Sequence, residues 1–227
     1  MRCAAEQGIS LVEATIVVTA VAILAAVAAP SASRALDRAR IARGVSDAEA
    51  IKTAIVNFRA DVFQGFTEDG LSSGHVVEVL VSDGDIPAAG IADDNGSVAG
   101  TLMRWDEPVA DNDTADNQGA NITTDFFERH LVTNNPRGSS LNDYPSSGGN
   151  QWRGAYINAP IDADPWGNRY AFNSMYLINP SNTKNDTFVL SAGPDEELDT
   201  LFEVNGLTPG DDDIVVQVLR DRNSSVP

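Results

Sequence analysis

Cysteine is almost absent from this chain. Its one copy, Cys3, cannot form an intrachain disulfide, so no covalent cross-link holds the fold. Histidine is scarce as well, and His75 and His130 lack the spacing of a metal or catalytic pair. No Gly-x-Ser-x-Gly elbow, phosphate-binding glycine loop or dinucleotide fingerprint occurs. Basic residues are in deficit, 15 against 33 acidic, which leaves a net charge of −18 carried mostly after residue 60. Such a surface repels phosphates, which argues against nucleic acid as a partner, and it suits hard cations such as calcium.

What is present is concentrated near the start. Gly8-Ile9-Ser10-Leu11-Val12-Glu13 leads into an apolar run that ends at Ala29, before Pro30. Ile9 to Ala29 has about the 20-residue length that crosses a bilayer as a helix. Glu13 sits inside it, and a carboxylate in hydrocarbon costs about 2.5 kcal/mol or more, so it marks a function or a partner. A secretory signal peptide is the rival explanation, with the small residues from Ala25 to Ala32 as a place to be cut. The tiny charged leader, the long apolar run and Glu13 itself count against it. Cys3 precedes the run, which excludes the usual lipoprotein arrangement.

These residues resemble the prepilin family, the type IV pilins and the pseudopilins of type II secretion. In that family a dedicated peptidase cuts after a leader glycine and methylates the new N-terminus. The resemblance puts the cut between Gly8 and Ile9, making Glu13 the fifth mature residue and Pro30 the twenty-second, both familiar positions in the family. It also implies a partner for Glu13: the N-terminal amine of a neighbouring subunit, a pairing that offsets the desolvation of both charges. A carboxylic acid that merely packs between helices is the plainer alternative. Ile9 departs from the more usual phenylalanine or methionine, and Arg2 is the only basic residue of the leader. Arg34, Arg38, Arg40 and Arg43 follow the apolar run, and charge counting alone would place the C-terminal body in the cytoplasm. The cleavage pattern, carried by several independent residues, outweighs it.

Past Pro30, where the missing amide permits a bend, the helix is expected to continue to residue 62. Ile41, Val45, Ala48, Ile51, Ile55, Phe58 and Val62 recur at spacings of three and four as a core-facing stripe, with Gly44 weakening the middle. From Phe63 to Asn121 clear period is lost, and Asp93-Asp94-Asn95-Gly96 and Asp111-Asn112-Asp113 read as turns. His75 to Val81 reads as a short strand or helical turn. A second helix is expected at Asp125 to Val132, capped by Thr123 or Thr124. Arg169 to Phe172, Thr187 to Ser191 and Ile214 to Leu219 carry strand signals.

Three further motifs follow in order: Trp152 to Ile157, Asp164-Pro165-Trp166-Gly167-Asn168, and Ser191-Ala192-Gly193-Pro194-Asp195, with Asp211-Asp212-Asp213-Ile214 beyond them. Asp164 to Asn168 reads as a tight turn: Asp164 bonds the backbone, Pro165 fixes φ, Gly167 permits positive φ, and Trp166 plugs against the helix. The series resembles the major pseudopilin of type II secretion, where the Ser-x-Gly-x-Asp turn and the later Asp-Asp-Ile frame a calcium site. That resemblance implies Asp195, Asp212 and Asp213 as calcium ligands, with Asp199 and Asp211 as substitutes if the register differs. Calcium takes six to eight oxygens, so backbone carbonyls would complete the shell. Glu196 stands where the family has glycine, and Glu196 to Gly210 is longer than usual. A solvated acidic turn without an ion is the alternative.

The expected fold is α+β and pilin-like: a long N-terminal helix, transmembrane in its first half, packed on a small C-terminal antiparallel sheet. The expected organisation is a leader at 1–8, an anchor and assembly helix at 9–30, its amphipathic continuation at 31–62, and a periplasmic domain at 63–227. That domain divides into a variable part, 63–150, and a sheet with the acidic loop, 151–227. The expected role is structural rather than enzymatic: a pseudopilus subunit held by a single pass in the bacterial inner membrane. Its implied partners are copies of itself, minor pseudopilins, prepilin peptidase and the inner-membrane assembly platform. A type IV pilin for adhesion, motility or DNA uptake is the alternative, and a membrane-anchored periplasmic enzyme using a carboxylate pair is a more distant one.

Overall fold

The computed structural model describes residues 10–62, 65–67, 76–89, 97–98, 101–102, 124–138, 140–158, 160–177, 186–201 and 208–219. The turns expected at 93–96 and 111–113, together with His75 and Thr123, lie outside the described residues. Helix α1 runs Leu11–Val62 and contains Pro30. Proline offers no N–H to the carbonyl four residues back and crowds it. In the next turn the Ser31 hydroxyl donates to the Ala28 carbonyl at 2.7 Å, giving that stretch an extra hydrogen bond.

The chain divides into two compact units, residues 1–40 and 41–227. In the first, every described side chain of α1 is exposed, with Leu11 at 81% and Leu24 at 69%. This apolar stretch is long enough to cross a membrane.

The second unit has its own core. Ala48, Ile51, Ala54, Ile55, Phe58 and Val62 of α1 are buried against Phe66, Leu80, Phe127, Tyr144, Phe172, Val189 and Val216. The stripe read from the sequence therefore holds from Ala48 onward, while Ile41 and Val45 are each 41% exposed. Gly44 makes the contact at this level instead. A Cβ there would lie 2.7 Å from Ile214 Cδ1 and 3.5 Å from Trp166 Cζ3, so its missing side chain is what lets both approach.

Strands β1 (Val79–Val81), β2 (Ala88–Ala89), β3 (Ser97–Val98), β4 (Thr101–Leu102) and β5 (Thr124–Phe126) come next, then helix α2 (Phe127–Leu131). Strands β6 (Ala171–Phe172), β7 (Thr187–Ser191), β8 (Glu197–Leu198) and β9 (Ile214–Leu219) follow. The main sheet has the order β5-β1-β6-β7-β9. Strands β1, β6, β7 and β9 pair antiparallel, but β5 pairs parallel to β1. The sheet is thus mixed rather than purely antiparallel. The connection from Val81 to Thr124 far exceeds the roughly dozen residues a parallel crossover needs, so the reversal is sterically free. Strand alternation sends Leu80, Phe172, Val189 and Val216 into the cluster with α1, while Val79, Val81, Ala171, Phe188 and Leu190 build a second cluster with Tyr176 and Leu198.

The second helix starts later than expected. Thr124 lies in β5, bonded in register with Val79, and the residue before α2 is Phe126, which supplies no side-chain cap. Sheet pairing has taken the backbone that a threonine cap would need. Two smaller pairs complete the described architecture: β3 with β4, and β2 parallel to β8.

Candidate functional site

Glu13 lies in the first turn of α1, where the helix dipole favours a negative charge. It is exposed, as are its apolar neighbours Leu11, Val12, Ile16 and Val17. Gly8 and Ile9 lie outside the described residues.

The Asp164–Asn168 segment folds as its residue types dictate. Asp164 Oδ1 accepts the N–H groups of Trp166 and Asn168, both at 2.9 Å, and the Asp164 carbonyl accepts the N–H of Gly167 at 3.1 Å. Gly167 has φ 104°, and Trp166 sits half-buried where α1 is narrowed by Gly44.

Beyond β7, Gly193–Asp195 forms a 3₁₀ turn. Gly193 has φ 72°, and a Cβ on it would collide with the Asp212 carbonyl, so glycine is required for the two acidic segments to meet. Glu196 follows at φ 65°, ψ 18°, a left-handed conformation that explains why glycine suits this position. Its carbonyl accepts the Ala88 N–H at 3.0 Å, where β2 and β8 pair.

This arrangement gathers Asp195, Asp211 and Asp212, with one carboxylate oxygen from each lying within 4.8 Å of the others. Asp212 Oδ2 also accepts the Asp195 N–H at 3.2 Å. Partial burial, then the neighbouring Asp195 carboxylate, pushes the Asp212 carboxyl above its ordinary pKa. Of the three residues expected from the sequence, Asp195 and Asp212 come together, and Asp211, named there as a substitute, joins them.

Asp213 does a different job. Its Oδ2 accepts the N–H groups of Asp199 at 3.1 Å and Thr200 at 2.6 Å, closing the long Glu196–Gly210 insertion onto the start of β9. Its Oδ1 is buried with no hydrogen-bond partner among the described residues. Burial raises its pKa to about 6, against the smaller lowering effect of Thr200 and Asp199. An all-oxygen donor set with crowded carboxylates and an orphaned buried oxygen nearby fits a hard cation such as calcium.

A second polar cluster was not legible in the sequence. Asp125 is fully buried and takes His130 Nε2 at 3.0 Å, Arg129 Nη1 at 2.9 Å, and the N–H groups of Phe126 and Arg137, each at 2.8 Å. His130 Nδ1 lies 2.7 Å from Tyr144 Oη, and that oxygen accepts the Thr67 N–H at 3.2 Å. Burial by itself would raise the Asp125 pKa, but the hydrogen bond with His130 and the two backbone donors outweigh it and hold it at about 2. Asp125 and His130 are both closed to solvent, so this is an internal brace rather than a reactive site.

Comparison with curated proteins and with solved structures gives no match. The family model of type II secretion system protein G matches residues 132–203, a span that holds the Asp164–Asn168 and Ser191–Asp195 turns. That match covers 72 of the 227 residues, and the long N-terminal helix with the five-stranded mixed sheet is the α+β, pilin-like arrangement expected from the sequence.

Proposed function

We propose that this protein is a structural subunit of a type II secretion pseudopilus, a filament that helps move folded proteins across the outer membrane. The observation that carries this is the family match over residues 132–203, on a chain whose first helix opens with an apolar stretch long enough to cross a membrane. Prepilin peptidase cuts after Gly8 and methylates Ile9. The apolar first half of α1 then holds the subunit in the inner membrane, with the C-terminal domain in the periplasm, until an assembly platform stacks it with further copies and with minor pseudopilins. Glu13 pairs with the N-terminal amine of a neighbour, which sets subunit register. The work is mechanical and calls for no catalytic residue.

Mass spectrometry of the mature protein tests the proposal, with Ile9 bearing one added methyl group as the expected N-terminus. Normal processing of a variant with a bulky residue in place of Gly8 would count heavily against it. Glu13→Ala is expected to be cleaved and membrane-held, yet to assemble poorly.

The acidic loop is proposed to hold calcium through Asp195, Asp211 and Asp212, with Asp213 closing the loop behind them. The ion would neutralise carboxylates that otherwise repel, and would clip the C-terminal region in a mature chain without cysteine. Binding to the folded form alone raises the melting temperature by mass action. Identical melting curves in chelator and in calcium would sink this part of the proposal.

A further inference from the structure

The Asp164–Asn168 turn and the acidic loop, 27 residues apart along the chain at their point of contact, share one buried joint. Asp164 is 4% exposed and Ser191 is fully buried. While Oδ1 of Asp164 organises its own turn, Oδ2 accepts the Ser191 hydroxyl at 2.6 Å. A hydroxyl donating to a carboxylate at that distance is a strong, charge-assisted bond. Ser191 Oγ in turn accepts the N–H of Gly193 at 3.3 Å. Gly193 is the residue that touches the Asp212 backbone, and it heads the 3₁₀ turn that presents Asp195.

Resting on the calcium reading of the acidic loop, we propose that Asp164, acting through Ser191, is a positioning residue for that cation site. The relay runs from the Asp164 carboxylate to the Ser191 hydroxyl, to the Gly193 amide, and so to the separation between the Asp195 turn and Asp212. Removing the hydroxyl strands a buried Asp164 oxygen and a Gly193 N–H at once. The Gly193 turn then loses the anchor that holds it against Asp212, and ligands that lose their outer partners bind metal less tightly.

The test is calcium titration by calorimetry on the full chain in detergent, comparing the unchanged protein with Ser191→Ala and Ile55→Val. Ser191→Ala is expected to weaken calcium binding about tenfold. Ile55→Val, which trims a buried side chain of α1 in the apolar core, is expected to leave the Kd unchanged. Equal Kd values for Ser191→Ala and the unchanged protein overturn the positioning role and leave the calcium reading standing. Equal weakening in Ile55→Val also overturns it, because loss of stability alone would then account for the effect. If the unchanged protein takes up no calcium, the calcium reading falls and the proposal falls with it. Should Ser191→Ala fail to fold, Asp164→Asn keeps the shape of the turn and carries the same expectation, overturned by an unaltered Kd.

Discussion

One helix uses its apolar residues in two opposite ways. Between Leu11 and Arg40 the described ones are all exposed, while from Ala48 to Val62 they form a stripe whose members are almost wholly buried. Both stretches are rich in alanine, valine and isoleucine, so composition does not separate them. Distribution does: an apolar surface all round needs an apolar surrounding, and a stripe needs only one partner face. Charges make the same distinction, since Glu13 is the only one between Leu11 and Pro30, whereas Glu49, Lys52 and Arg59 line the solvent side of the later turns. The first stretch is suited to a membrane or to other copies, and the second to its own sheet.

That contrast is most easily broken at Phe58, which stacks on Phe66 at 4.5 Å between ring centroids and meets Tyr144 edge-on at 5.0 Å. Phe58→Ala is expected to lower the unfolding free energy by about 3–5 kcal/mol in denaturant titration. Leu24→Ala, the matching change in the exposed stretch, should move it by less than about 0.5 kcal/mol. A comparable loss from both would show that the first stretch shares the folded core.

A smaller effect should come from the Asp125 brace, again confined to the second unit. Its lowered pKa means its contribution is fully present above 3.8, its value in the unfolded chain, and is lost as pH falls through about 2. The shift corresponds to about 2 kcal/mol at neutral pH. Asp125→Asn should therefore destabilise the protein at pH 7, and its deficit against the unchanged protein should shrink steadily toward pH 2. A deficit independent of pH would mean that the carboxylate's charge contributes nothing.

The smallest expected change is a gain. Glu196 holds a left-handed backbone at φ 65° that costs a residue with a Cβ about 1 kcal/mol. Glu196→Gly should recover part of that, raising the melting temperature by a few degrees in chelator. No change, or a fall, would indicate that the glutamate side chain or the stiffer unfolded chain compensates for the strain.

Local chemistry was the legible part. Strands at Thr187–Ser191 and Ile214–Leu219 agree with the expected spans, because β-branched and aromatic runs bounded by turn residues encode extension locally. The Asp164 turn could be read from five letters, since an Asx side chain, a proline and a glycine each act within four residues of themselves. The start of α2 could not, because Thr124 and Asp125 are drawn into β5 by Val79 and Leu80, far away in sequence. Gly44 looked like a weak point in a helix and turned out to be the gap that Ile214 and Trp166 approach. Within the acidic loop, three consecutive aspartates offered no local reason to send Asp211 and Asp212 toward Asp195 while Asp213 turns to the Asp199 and Thr200 amides.

By itself, then, the sequence determined the apolar first half of α1 with its lone Glu13 and the turn at Asp164, because each depends on hydropathy or backbone geometry over a few residues. Only the tertiary structure decided that β5 runs parallel to β1, that Asp125, His130 and Tyr144 meet in the core, and that Ser191 ties the Asp164 turn to the acidic loop. Those arrangements depend on which buried donor faces which acceptor across the fold, and burial makes every such pairing obligatory once the chain has closed.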